Sequence, residues 1–119
     1  MRRAVLLAGA ALAVCAATAL SAGDGGKQTR AVRRGQAFAV AHCSGYHGVT
    51  PGSVSDNPES PPFEDIANRD GVTRQTLRRF LRDSHNFPDA MNFRLDARRI
   101  GDLADYLLTL RRPAYKPAI

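Results

Sequence analysis

The sequence predicts a small all-α domain, and three observations support this. Apolar residues recur at three- and four-residue steps through residues 32–42, 72–81 and 95–110, the spacing of one helix face. No stretch shows convincing strand alternation, and no internal repeat is present. The 119-residue chain leaves about a hundred residues behind its N-terminal leader, enough for one domain and too few for two. Three or four helices are expected.

The leader comes first. Met1-Arg2-Arg3, an apolar alanine-rich run from Ala4 to about Ala17, and the small residues after it describe a secretory signal peptide. The run falls short of the roughly 20 apolar residues of a membrane-spanning helix. Cleavage after Ala19 or Ser21 assigns residues 1–22 to the signal and makes the periplasm the expected location, with an uncleaved anchor as the alternative. Cys15 follows Leu12-Ala13-Val14, a poor lipid-attachment box. No stable membrane insertion of the mature chain is expected. Residues 23–30 read as a flexible, glycine-rich leader, 31–112 as the domain, and 113–119 as a tail.

The helices follow in order. From about Thr29, Val32, Gly35, Phe38, Ala39 and His42 form a stripe that leaves Arg33, Arg34 and Gln36 outside it. A glycine inside a helix costs about 1 kcal/mol against alanine, so Gly35 calls for a packing reason. Gly48 to Pro62 is a loop, long for so small a domain, which favours a functional wrap. Phe63 to Arg69 can form a short helix. Thr73 is the N-cap of the next helix, with Val72 and Leu77 as a hydrophobic staple and Leu77, Phe80 and Leu81 as its apolar face. It ends near Asp83, and Ser84 to Arg94 reads as irregular. Asp96 caps the last helix, stapled by Leu95 and Ile100. Ile100, Leu103, Leu107 and Leu110 line one face, with Tyr106 beside them. Arg98 and Arg99 oppose the helix dipole, whereas Arg111 and Arg112 agree with it, and Pro113 stops the helix.

Charge is lopsided: 17 Lys and Arg face 11 Asp and Glu, and only Lys27 and Lys116 are lysines. The excess is either a solvated surface or a docking face for an acidic partner. Nucleic acid is not expected, because no stacking aromatics interleave with the basic residues. Once the signal is removed, Cys43 is the only cysteine, so no internal disulfide can form. A lone thiol in an oxidising compartment calls for something to occupy it.

Cys43-Ser44-Gly45-Tyr46-His47 is one residue away from C-x-x-C-H, the attachment signature of c-type haem, with Tyr46 where the second cysteine would stand. From about Val32 to Leu110 the chain resembles the class I, single-haem c-type cytochromes. The resemblance implies a cytochrome c-like fold in which the N- and C-terminal helices cross and the helices surround a haem. Gly35, eight residues before Cys43, matches the family's crossing-point glycine, and Tyr106 matches the aromatic that packs there. Cys43 would tether the haem and His47 would ligate the iron. Met91 matches the family's second axial ligand, although Asn92 follows it where the family often has proline; His85, in the same loop, is the substitute donor. Pro62 matches the proline whose carbonyl orients the histidine, with Pro61 an equal candidate.

A haem would occupy the lone thiol and supply core that a chain without tryptophan lacks. The implied function is periplasmic electron transfer with redox proteins, through one haem c held by a single thioether. No catalytic triad or carboxylate pair is evident, so no enzyme is expected. Two alternatives stay open: a haem-less interaction module, or another metal on His42, Cys43, His47 and His85, whose spacing lacks the tight pairs usual in zinc sites.

Overall fold

The computed structural model describes residues 24–119, and the signal assigned to residues 1–22 lies outside them. The described residues form five helices and no strand: α1 (Asp24–His42), α2 (Phe63–Ala67), α3 (Arg74–Asp83), α4 (Pro88–Met91) and α5 (Ala97–Thr109). The all-α expectation holds, but with five helices among the described residues where three or four were expected, the one-turn α4 being the addition. The last helix is the one the others pack on, since α1, α2 and α3 each contact α5. Its buried face is Ile100, Leu103, Ala104, Tyr106 and Leu107, continued by Leu110 beyond the helix end.

Both sequence-assigned caps form. The Thr73 hydroxyl accepts from Thr76 N–H, and Thr76 returns the bond to the Thr73 backbone, a closed capping box that starts α3. The Asp96 carboxylate accepts from Arg99 N–H at 2.8 Å and starts α5. These caps set where α3 and α5 begin, and so which of their faces turn inward.

The terminal helices α1 and α5 make the most extensive contact in the fold, and Gly35 is the reason they can. A Cβ at Gly35 would run into the Asp102 carbonyl and stand 2.9 Å from Tyr106 Cβ. Tyr106 is buried there, and its hydroxyl donates to the Val49 carbonyl at 2.7 Å. The crossing is locked by Arg34, whose guanidinium grips the Asp102 carboxylate through two bonds of 2.7 Å.

Three expectations need correction. The segment 23–30 is not a flexible leader throughout, because α1 already begins at Asp24. Once a helix has nucleated, each added residue gains a hydrogen bond cheaply, so the glycine-rich stretch is carried along. Residues 84–94 are not wholly irregular, since Pro88 opens the one-turn α4. Proline is pre-set for that first position, where its missing N–H costs nothing. The segment 113–119 is not a free tail: Tyr115 donates to Asp65 at 2.7 Å, and the Arg112 side chain lies over the Tyr115 ring and 2.9 Å from Glu64. Glu64 also accepts from Gly52 N–H, so α2, the long loop and the C-terminal segment are tied at one buried carboxylate. Among the described residues no helix is long and apolar enough to cross a membrane.

Candidate functional site

Helix α1 ends in a tight turn that decides what faces inward. The Ala39 carbonyl accepts from both Cys43 and Ser44, and the Cys43 carbonyl accepts from Tyr46 at 3.1 Å and from His47 at 2.9 Å. Residues three and four apart in such a turn share a face. Cys43, Tyr46 and His47 accordingly all line one cavity of about 800 Å³. That volume lies within the range of cofactor sites, roughly 300–1,000 Å³.

Every part of the fold except the C-terminal segment contributes a wall. Phe63 and Ile66 come from the α2 region, Leu77, Phe80 and Leu81 from α3, and Leu103 and Leu107 from α5. Phe87, Met91, Phe93 and Leu95 come from the segment joining α3 to α5. The lining is mostly apolar, yet Tyr46, Phe80 and Phe87 remain 53%, 46% and 56% exposed. These three side chains leave apolar surface at the cavity that a bound group would cover.

His47 is held in one orientation. Its Nδ1 lies 2.8 Å from the Pro61 carbonyl, which can only accept, so Nδ1 donates there and Nε2 is the ring nitrogen left for another partner. The ring packs on Phe63 at 5.4 Å. The assignment to Pro62 is therefore corrected to Pro61. The Pro62 carbonyl is taken by Ile66 N–H in the first turn of α2, which leaves the preceding carbonyl free for the histidine. The loop from Gly48 closes at the same place, where Phe63 N–H donates to the Gly48 carbonyl at 2.8 Å.

Cys43 is half-buried, and burial pushes its thiol up to about 11, so it stays protonated at neutral pH. Met91 is half-buried at the end of α4 and also lines the cavity. Asn92 follows it at φ 57°, a left-handed conformation that proline cannot adopt, which accounts for the asparagine here. The segment bearing Met91 is closed at its base by Asn86, whose side chain donates to the Leu95 carbonyl and accepts from Leu95 N–H.

His85 stands just before that base. Its ring stacks on Phe80 at 5.4 Å and comes within 5.8 Å of the His47 ring. Burial first, and the neighbouring His47 second, hold it below the ordinary histidine range, as a neutral donor. Its approach to His47 joins residues 38 positions apart across the fold, and no local pattern in the sequence announces it.

Cys43, His47 and Met91 thus open into one cavity, while Pro62 is replaced by its neighbour. His42 also lines it, packed between Phe38 at 4.4 Å and Phe93 at 4.9 Å. Among the described residues no group of three or more His, Cys, Asp or Glu side chains is placed to hold a metal ion, so His42, Cys43, His47 and His85 do not form one. A haem would need donors from the protein, and His47, His85 and Met91, which line the same cavity, are the residues that could supply them. No family model, curated protein or solved structure matches the chain.

Proposed function

We propose that the protein is an exported electron carrier holding one haem c, tethered by a single thioether at Cys43 and ligated by His47 and Met91. The observation that carries this reading is His47: its Nδ1 is bound to a backbone carbonyl, and its free Nε2 belongs to an apolar cavity shared with a thiol and a thioether. When bound, the haem supplies a one-electron iron couple, and a thioether opposite an imidazole favours the reduced state. The protein's own part is positional. Pro61 fixes the imidazole, the turn at Cys43 brings the thiol to the same face, and the α3 and α5 side chains exclude water. With both donors bound, the iron would have no open position, so the reading is an electron carrier and not an enzyme; its periplasmic location rests on the signal assigned to residues 1–22. Its partners are redox proteins with acidic docking faces.

Tyr46 favours a second reading, a haem-less interaction module, because it cannot form a thioether and is half exposed. One experiment separates the two. Full-length protein is expressed in a periplasm competent for cytochrome c maturation, denatured, and its alkaline pyridine spectrum recorded. The carrier gives bound haem with a spectrum between those of two-vinyl and zero-vinyl haems. Colourless protein contradicts it and favours the module.

A further inference from the structure

We propose that the second axial position is served by two residues in turn, His85 on ferric iron and Met91 on ferrous iron. The inference rests on the haem reading above. Its basis is geometric. An imidazole nitrogen binds a metal at about 2 Å, which puts the ring centre about 3 Å from the metal and two opposed ring centres roughly 6 Å apart. The rings of His47 and His85 are 5.8 Å apart, so His85 stands close to the place an opposing ligand takes. It is half-buried and lines the same cavity as His47.

Met91 competes from the same segment but is mounted differently. His85 directly precedes the two hydrogen bonds between Asn86 and Leu95, at the base of the segment. Met91 lies within the closed loop, on the one-turn α4, ahead of the left-handed Asn92. Among the described residues the loop's backbone holds no hydrogen bond to the rest of the chain inside that base. Its body meets α1 through Phe93, whose ring packs on Phe38 at 5.6 Å and His42 at 4.9 Å. The loop can therefore carry Met91 toward or away from the iron as a unit, while His85 has the Phe80 ring to rest on when released.

Ligand chemistry orders the two states. Thioether sulfur is soft and favours Fe(II), whereas imidazole supports Fe(III). In the oxidation step one electron leaves the iron for an acceptor redox protein, or for ferricyanide in vitro. The Met91 sulfur–iron bond breaks and a bond from the lone-pair nitrogen of His85 to the iron forms. Reduction reverses both changes.

The test uses full-length haem protein from a maturation-competent host, as wild type, His85→Ala and Met91→Ala, with haem content measured separately by pyridine assay. Ferric wild type is expected to lack the sulfur-to-iron charge-transfer band and to show the electron paramagnetic resonance of two imidazole ligands. His85→Ala gains the band. Met91→Ala keeps the wild-type ferric spectrum, but its ferrous form loses sulfur ligation and its reduction potential falls. A ferric wild type that already has the band, unchanged in His85→Ala, overturns the exchange and leaves the carrier standing. If His85→Ala does not fold, the wild-type resonance alone still decides. Protein that takes up no haem overturns both.

Discussion

At the scale of single residues the decisive position is Tyr46. It shares the turn face with Cys43 and His47, three residues after the one and one before the other, so in the proposed haem complex a cysteine there would lie beside the second vinyl group. Tyr46→Cys is therefore expected to add a second thioether during maturation and to move the pyridine spectrum to the ordinary c-type position. An unchanged spectrum with an alkylatable thiol at position 46 would contradict it. Cys43 gives a second prediction, in haem-free protein. Its raised value of about 11 means that the native thiol reacts slowly with alkylating reagents at neutral pH and speeds up only toward that pH, whereas the unfolded chain reacts from about pH 9. The unfolded state loses this proton first, so the residue's contribution to stability is intact below 9 and falls as pH rises to 11. Equal rates in native and urea-unfolded protein would show an exposed thiol. Much of this site was legible in the sequence, because a four-residue step from Cys43 to His47 fixes a shared face wherever a turn forms. Which proline carbonyl reaches His47 was not legible. It depends on the first hydrogen bond of α2, which consumes Pro62. His85 was legible only as a substitute donor, since its approach to His47 is a product of tertiary packing.

At the scale of elements, the close packing of α1 on α5 depends on Gly35. Gly35→Ala forces a methyl into the Asp102 carbonyl and is expected to cost about 2 kcal/mol or more, as overpacking does. Gly101 provides the control. A Cβ there meets only the end of the flexible Arg74 side chain at 3.5 Å, so Gly101→Ala should gain up to about 1 kcal/mol of helix propensity. Urea midpoints measure both, and equal signs would contradict the role given to the crossing. The long helices and their caps were readable because Thr73 and Asp96 sit directly before strongly periodic stretches. What escaped were features set by tertiary contact or by propagation: the early start of α1, the single turn at Pro88, and the docking of Tyr115 on Asp65.

At the scale of the whole molecule the arginine excess divides into two sets. Arg34 and Arg74 bind Asp102 and Asp105 of α5, and Arg112 reaches Glu64, so these join elements of the fold. Among the described residues Arg30, Arg33, Arg69, Arg78, Arg79, Arg94 and Arg111 make no salt bridge and are exposed, and Arg69 also lines the cavity. If this second set steers docking, electron exchange with an acidic partner should slow steeply as salt rises, since screening shortens to about 8 Å at physiological ionic strength. Replacing Arg78 and Arg79 by glutamine should flatten that dependence without changing haem content, and a salt-independent rate would return them to ordinary surface. The central claim, a haem held by one thioether at Cys43, is tested most directly by intact mass. Denatured protein from a maturation-competent host should weigh one haem more than the processed polypeptide, with the added mass on the Cys43 peptide and absent from Cys43→Ala. A mass equal to the bare polypeptide from a host that matures other c-type cytochromes would contradict it.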